Sequence, residues 1–254
     1  MMRRPSKKAK RYEPEDYAIT IEKLRKEFDG LVAVNDFNLR IRKGVTYGLI
    51  GPNGSGKTTT IKMLMGLLRP TAGRATILGE AVPIKDKLPC IGYMPQDMAV
   101  YFDMSVHENL QLFSELYSVD KEIFEKREEE LLKVVGLEER ADSLVSQLSG
   151  GMRHRLSLAC TLIHDPEILF LDEPTVGVDP ELRVGFWGYF RKLKESGKTV
   201  VMTTHYMDEA MRCDVIGMMR AGRLIAQGSP KGLIEKSSTK NLEDAFLVFS
   251  RGVM

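Results

Sequence analysis

The order of apolar and polar residues predicts strands and helices that alternate along most of the chain. Short apolar runs or two-residue alternation predict strands, and apolar residues three or four positions apart predict helices. The predicted strands cover residues 17–24, 34–41, 45–50, 74–78, 91–94, 168–171, 199–204, 215–220 and 223–226. The predicted helices cover residues 59–68, 105–117, 121–135, 149–164, 179–194 and 241–247. This alternation favours an α/β fold.

Helical periodicity alone describes the segment from about residue 98 to about residue 165, which we interpret as a helical insertion within a domain of residues 17–250. Ser105 and Glu108 are spaced as a capping box at the start of its first helix. Residues 1–16 are basic, and no apolar segment follows them to make a signal peptide. We expect a disordered tail there, and contact with a membrane surface is the alternative interpretation.

Composition excludes several classes of protein. The 254 residues include 37 basic and 35 acidic side chains, a near balance that predicts no nucleic-acid partner. The three cysteines lack C-x-x-C spacing, which favours buried thiols in a reducing compartment over a disulfide framework. No run approaches the ~20 apolar residues that span a bilayer, so we expect the chain itself to be soluble.

The segment GPNGSGKT, residues 51–58, lies between a predicted strand and a predicted helix. Its glycines let the backbone turn tightly and aim N–H groups at phosphate oxygens, and the positive end of the following helix adds favourable potential. Lys57 is placed to reach the β- and γ-phosphates of a nucleotide, and the Thr58 hydroxyl to coordinate Mg²⁺. The alternative is an ordinary glycine-rich turn between a strand and a helix.

Two carboxylates follow the apolar run ILFL, where open α/β sheets bind their ligands. Asp172 is suited to hold Mg²⁺, and Glu173 to orient and deprotonate a water molecule. His205 and Gln96 also follow predicted strands. Taken alone, a histidine at such a position is usually structural, and a glutamine is weak evidence for a metal ligand.

Two further signals have two interpretations each. Phe28 lies at a predicted turn, where its ring is suited either to stacking on an adenine or to packing in the core. Ser149 precedes Gly150 and Gly151 at a predicted helix start, where these residues serve either as a plain cap or as an anion site.

Taken together and in this order, the motifs resemble those of the nucleotide-binding subunit of ATP-binding cassette (ABC) transporters over about residues 18–250. They are the Walker A loop at 51–58, the Q-loop residue Gln96, the signature LSGGM at 148–152, the Walker B strand at 168–172 with Glu173, the D-loop at 177–179 and the switch histidine His205. The signature separates this family from other phosphate-loop proteins. The resemblance implies a P-loop NTPase core with a mixed or parallel sheet, an antiparallel β subdomain and an inserted α-helical subdomain.

The resemblance also implies the role of each site residue. The implied nucleotide-binding residues are Phe28, Gly51, Pro52, Asn53, Gly54, Ser55, Gly56, Lys57, Thr58, Thr59, Ser149, Gly150, Gly151 and Asp179. The implied catalytic residues are Lys57, Gln96, Glu173 and His205, and the implied Mg²⁺ ligands are Thr58, Gln96 and Asp172. In the family, the signature binds the γ-phosphate of ATP held by the other subunit, so two complete sites form only in a head-to-tail dimer.

The implied function is hydrolysis of ATP with Mg²⁺ to power a separate integral membrane permease from the cytoplasmic face of the membrane. The second nucleotide-binding subunit would be an identical chain or a paralogue. TVGVDP at 175–180 and LEDAF at 242–246 look like bacterial multidrug, antibiotic or lipid exporters. Import is one alternative, because the catalytic residues do not encode direction. A soluble ABC ATPase acting on ribosomes or DNA is another, although the sequence has neither a second cassette nor a long coiled-coil insertion.

Two features of the sequence are less easily placed. His154 stands where lysine or glutamine is commoner after the signature, and the sequence offers no physical reason for it. Between Gln96 and Ser105, five of the seven residues 98–104 have large apolar side chains: Met98, Val100, Tyr101, Phe102 and Met104. An exposed loop of that composition indicates a partner surface, which in the family receives a coupling helix of the membrane subunit; the alternative is packing beneath the helical insertion.

Overall fold

The computed structural model describes residues 14–251, so most of the predicted tail, residues 1–13, lies outside the described residues. The last part of that tail, Pro14–Asp16, forms one 3-10 turn, and the Asp16 carbonyl accepts a hydrogen bond from the Lys43 N–H at 3.0 Å. The expectation of disorder is therefore wrong for these residues, because the turn is tied to the sheet that follows.

Ten strands and eight α-helices make up the described chain. The strands are β1 Tyr17–Phe28, β2 Leu31–Arg42, β3 Thr46–Ile50, β4 Ala72–Ile77, β5 Glu80–Ala81, β6 Ile91–Met94, β7 Ile168–Asp172, β8 Thr199–Thr204, β9 Val215–Arg220 and β10 Arg223–Gly228. The helices are α1 Lys57–Leu64, α2 Val106–Leu116, α3 Lys121–Val135, α4 Gly150–Leu162, α5 Pro180–Glu195, α6 Met207–Ala210, α7 Pro230–Ser237 and α8 Leu242–Ser250. None of the helices described is both long enough and apolar enough to cross a membrane.

The strands form two sheets, as the resemblance implies. An antiparallel sheet has the order β2-β1-β4-β5, and a six-stranded sheet has the order β10-β9-β3-β8-β7-β6. In the larger sheet the pairs from β9 to β6 are parallel, and β10 is antiparallel to β9. The parallel strands bring the carboxyl ends of β3, β6, β7 and β8 to one edge, where the candidate site lies.

Alternation along the central strands divides the core in two. In β7, Ile168 and Phe170 face the cluster beneath the antiparallel sheet, while Leu169 and Leu171 face the cluster that includes the helices α2–α5. Because both faces of β7 are covered, every residue of the strand is buried. The α1 residue Ile61 belongs to the first cluster, so the helix that begins at Lys57 is packed between the two sheets.

The structure differs from the predicted elements at the end of α1, at several strand ends, and at β5, α6 and α7, which the sequence analysis does not predict. Helix α1 ends at Leu64 rather than Leu68, because Gly66 adopts a positive φ of 70° and the N–H groups of Leu67 and Leu68 bond back to the Lys62 carbonyl. Helix α7 was not predicted. Ser229 caps it and Pro230 occupies its first turn, and both residues are helix-start signals.

Candidate active site

The phosphate loop connects β3 to α1 and has a shape that the sequence alone does not reveal. Gly56 has φ of 103°, and a Cβ there would lie 2.5 Å from the Ala33 carbonyl oxygen of β2, so only glycine fits. The Lys57 ammonium donates hydrogen bonds to the carbonyls of Gly51 at 2.8 Å and Pro52 at 3.1 Å. The side chain therefore lies along the inside of the loop, where N–H groups at the start of α1 give positive potential.

An open pocket of about 520 Å³ lies over this loop. Its lining residues are Phe28, Leu31, Ala33, Asn53, Gly54, Ser55, Gly56, Lys57, Thr58, Thr59, Gln96 and Glu173. Phe28 is 41 % exposed, so the core interpretation of this residue is wrong, and its location in the pocket leaves stacking on a base as the prediction. A larger open groove of about 840 Å³ between α3 and α5 has no phosphate loop or paired carboxylates.

Asp172, at the end of β7, is buried beside the phosphate loop. Its Oδ1 accepts a hydrogen bond from the Thr203 hydroxyl of β8, and the Thr58 hydroxyl is close enough to influence the pKa of the carboxylate. Burial raises the pKa of Asp172, opposed by these two hydroxyls and by Lys57. Burial lowers the pKa of Lys57, opposed by Glu173 and Asp172.

Two observations bear on whether this site suits Mg²⁺. Asp172 Oδ2 is buried and has no hydrogen-bond partner, so it is an unused oxygen ligand beside the Thr58 hydroxyl. Within residues 14–251, no three His, Cys, Asp or Glu side chains cluster as a protein-only metal cage would require. Mg²⁺ commonly takes one or two carboxylates together with substrate phosphates and water. The residues present fit that mode of binding.

Glu173 is held from several sides. Its φ is 57°, in the left-handed region that residues with a Cβ rarely adopt. Its N–H donates to the Thr203 carbonyl at 3.2 Å and to the Thr203 hydroxyl at 3.0 Å. Its carboxylate Oε1 lies 3.1 Å from Nδ1 of the switch histidine, His205. The candidate base and His205 are therefore one hydrogen-bonded unit at the edge of the pocket.

The signature residues stand apart from this pocket. Ser149 Oγ accepts a hydrogen bond from the Met152 N–H at 3.2 Å and caps α4, which is the plain-cap interpretation. At Gly150 an added Cβ would meet no atom within 4 Å, whereas at Gly151 it would lie 2.9 Å from the Gly177 carbonyl of the D-loop. None of the three lines the pocket over the phosphate loop. Binding of an anion by them stays a prediction.

Asp179 is likewise outside the pocket. Its Oδ1 accepts a hydrogen bond from the Leu182 N–H at 3.2 Å and caps α5, and it lines the groove between α3 and α5. The structure thus brings the predicted loop, Phe28, Gln96, Asp172, Glu173 and His205 to one place. It does not bring the signature or Asp179 there within a single chain.

Sequence reasoning assigned no role to three residues near the site, although it noted His154 as unusual. Thr203 holds both Asp172 and Glu173, and Glu209, which is fully buried, accepts hydrogen bonds from the hydroxyls of Thr175 and Thr204. His154 contacts the Glu173 carbonyl. The pair of threonines ending β8 was a usable signal, because in parallel strands Thr203 lies directly beside Asp172.

Comparisons with known proteins agree on one family. The family model described as ABC transporter matches residues 34–176. The chain is 42 % identical over 222 residues to Nod factor export ATP-binding protein I of Cupriavidus pinatubonensis, covering 85 % of this chain and 68 % of that protein. It is 40 % identical over 235 residues to the probable multidrug ABC transporter ATP-binding protein YbhF of Escherichia coli, covering 91 % of this chain but only 40 % of that protein.

A solved structure described as the ATP-binding subunit of an ABC transporter superimposes with a TM-score of 0.86 at 25 % identity. The match covers 92 % of this chain and 100 % of that one. The two-sheet architecture and the intervening helices are therefore those of an ABC ATPase subunit.

Proposed function

This chain belongs to the ABC transporter family as the ATP-binding, ATP-hydrolysing subunit of a transporter, and from that premise we propose that it powers export through a separate membrane permease. The observation that carries the proposal is that Lys57 and Glu173 line the pocket over the phosphate loop, with Asp172 buried close to Lys57. Phosphoryl transfer requires neutralised charge and a positioned nucleophile, and these three side chains supply both.

In the proposed mechanism, the N–H groups of residues 51–58 and the Lys57 ammonium bind the β- and γ-phosphates of ATP. Glu173 orients the attacking water and accepts its proton, and His205, bonded to the same carboxylate, contacts the γ-phosphate. Phe28 stacks on the adenine ring.

Thr58, Asp172 and Gln96 are the residues that would hold Mg²⁺ in this site. When bound, the ion neutralises charge that develops on the phosphate oxygens. Thr203 then has a supporting role, because its hydroxyl occupies one oxygen of Asp172 and leaves the other, which has no hydrogen-bond partner, able to serve as a ligand.

A single chain supplies only part of each proposed site. Because Ser149, Gly150 and Gly151 lie outside the pocket of their own chain, we propose that they bind the γ-phosphate held by a second subunit, with Asp179 nearby in the same interface. The second subunit is an identical chain or a paralogue. A head-to-tail pair makes two such sites.

Export is the proposed direction because the relatives with 42 % and 40 % identity are named for Nod factor export and multidrug transport. The chain would act at the cytoplasmic face of the membrane, held there by the permease. The test is to purify the tagged chain from detergent-solubilised membranes and to identify the integral membrane protein and small molecules that accompany it. Inverted vesicles should then accumulate those molecules only with ATP; ATP-driven accumulation only in right-side-out vesicles would indicate import.

The apolar loop between β6 and α2 is the proposed contact with the permease. Tyr101 is 54 % exposed and Phe102 is 41 % exposed, so packing beneath the insertion does not account for them. Their backbone is fixed by the fully buried side chain of Asn109, whose Oδ1 accepts from the Tyr101 N–H at 2.8 Å and whose Nδ2 donates to the Tyr101 carbonyl at 3.0 Å. Val100, which precedes them, is buried in the core cluster that includes α2–α5.

The same loop is bonded to the chain just ahead of the signature. The Ser146 N–H donates to the Phe102 carbonyl at 3.0 Å, and the Val145 N–H donates to the Met104 carbonyl at 2.9 Å. The Arg153 guanidinium of α4 lies 5.0 Å from the centre of the Phe102 ring. An ordered loop that presents aromatic side chains to solvent is suited to bind a partner without first paying the entropy of ordering.

Changing Tyr101 and Phe102 together to serine should leave the ATPase rate of the isolated chain within a few fold, because neither side chain lines the nucleotide pocket. The same change should abolish copurification with the permease and transport, since it removes the exposed apolar surface. The measurements are ATP hydrolysis, copurification and vesicle transport on one preparation.

A matched control changes Leu67 and Leu88, which are also exposed, to serine. The control should keep the permease and transport. Unchanged transport in the Tyr101 and Phe102 variant would refute the contact, and loss of soluble folding in that variant would return those residues to a structural role.

A further inference from the structure

His154, the unusual residue after the signature, contacts the backbone of Glu173. It lies on α4, is 9 % exposed, and its Nε2 is 3.2 Å from the carbonyl oxygen of Glu173. A carbonyl oxygen only accepts hydrogen bonds, so Nε2 must carry the proton in this contact. Burial is the main influence on His154 and lowers its pKa, which keeps the ring neutral, while the Glu173 and Pro174 carbonyls act in the opposite direction.

The carbonyl that His154 binds belongs to a strained residue. Glu173 has φ of 57°, so its peptide groups keep this orientation only if their surroundings hold them. On the N-terminal side, Thr203 of β8 accepts the Glu173 N–H. On the C-terminal side, the Glu173 carbonyl accepts from the Val176 N–H of its own turn at 3.3 Å and from His154 of α4. The contacts with Thr203 and His154 fix the backbone from two other elements and thereby set the direction of the carboxylate towards His205 and the pocket.

We propose that His154 is a positioning residue for ATP hydrolysis, which holds the Glu173 peptide so that the carboxylate points at the attacking water. The inference rests on the proposed role of Glu173 as the base. It also assigns α4 a second task, because the helix that begins at the signature residue Ser149 orients the base of its own chain through His154.

A purely structural role for His154 is the competing explanation, and His164 provides a matched control. His164 follows α4, is also largely buried, and places its Nε2 3.1 Å from the Ile91 carbonyl, away from the pocket. Both histidines therefore make one bond from Nε2 to a backbone carbonyl. Only the bond of His154 reaches the catalytic glutamate.

The experiment compares His154→Leu, which lacks a donor, with His154→Gln, whose amide N–H can donate to the same carbonyl. We expect His154→Leu to lower kcat by about tenfold or more with KM for ATP within about twofold, because the base is misdirected while the phosphate loop is unchanged. His154→Gln should recover kcat to within about threefold of the wild type. His164→Leu should lower the Tm without a comparable loss of kcat.

A second measurement applies if His154→Leu folds poorly: His154→Met, of similar volume to leucine and also without a donor, should show the same loss of kcat. In a Glu173→Gln background either apolar change should cause little further loss, because the group it positions has gone. Equal kcat for the leucine, methionine and glutamine variants, or full additivity with Glu173→Gln, would overturn the inference. If the wild type hydrolysed no ATP, or Glu173→Gln kept the wild-type rate, the proposed function would fail instead.

Discussion

Glu173→Gln is expected to lower ATP turnover by roughly two decades or more while ATP binding is retained, the usual scale for loss of a general base. The amide has the shape of the carboxylate and still contacts His205, but it cannot accept the proton of the attacking water. The contacts of Lys57 and the phosphate loop are untouched, so nucleotide should persist in a trapped dimer. Single-turnover hydrolysis and nucleotide retention after gel filtration measure the two effects.

Two controls separate catalysis from binding. Lys57→Ala should weaken ATP binding itself, because it removes a phosphate contact made in the ground state. Glu181→Gln removes an exposed carboxylate of α5 and should leave both binding and turnover unchanged. With ATP, light scattering should find Glu173→Gln as a dimer, and with ADP as a monomer. A wild-type rate in the glutamine variant would refute the assigned role of Glu173.

Mixing a Ser149→Arg chain with a Lys57→Ala chain is expected to restore ATP hydrolysis that neither chain has alone. In the mixed dimer, the intact phosphate loop of the first chain faces the intact signature of the second, so one of the two sites is complete. With random association, half the dimers are mixed and each has one site, so recovery should approach roughly a quarter of the wild-type rate. ATPase activity of the unsorted mixture measures this, and mixed dimers isolated through two different tags should reach about half the wild-type rate.

The control for this mixture is a chain that carries both changes, mixed with the Lys57→Ala chain, which leaves no complete site in any dimer. It should stay inactive. If verified mixed dimers of the two single variants were also inactive, the signature would not complete the partner's site, and its observed role as the cap of α4 would be the whole of its function.

Sequence patterns within single elements were enough to predict most of the helices and strands. The sequence predicted the bounds of β6, β8 and α3 as the structure has them, since the two strands are short apolar runs and α3 ends at Gly136 in the left-handed region. The phosphate loop was equally accessible because all of its residues are contiguous. The structure corrected α1, which ends earlier than its apolar pattern predicts, and added α7, which begins at a cap followed by proline.

The contacts around Glu173 could not be predicted from the sequence, and the reason is physical. Its contacts with Thr203 and His154 join residues 30 and 19 positions away, on a neighbouring strand and on a helix. Neither depends on a pattern within one element, and both require the order of strands and the packing of α4 on the sheet. The sequence therefore predicted which residues carry out the chemistry but not which contacts fix their positions.

The loop that carries Tyr101 and Phe102 is rigid rather than flexible, because hydrogen bonds hold it on both sides. The Asn109 side chain hydrogen-bonds both the N–H and the carbonyl of Tyr101 in this loop. Two backbone hydrogen bonds, from Val145 and Ser146, join the loop to the segment that leads into the signature. A stiff connection transmits displacement, whereas a compliant one absorbs it as local bending. A partner that displaces the two aromatic side chains would therefore also displace Ser149. A displacement of the signature would be transmitted to the exposed loop through the same contacts.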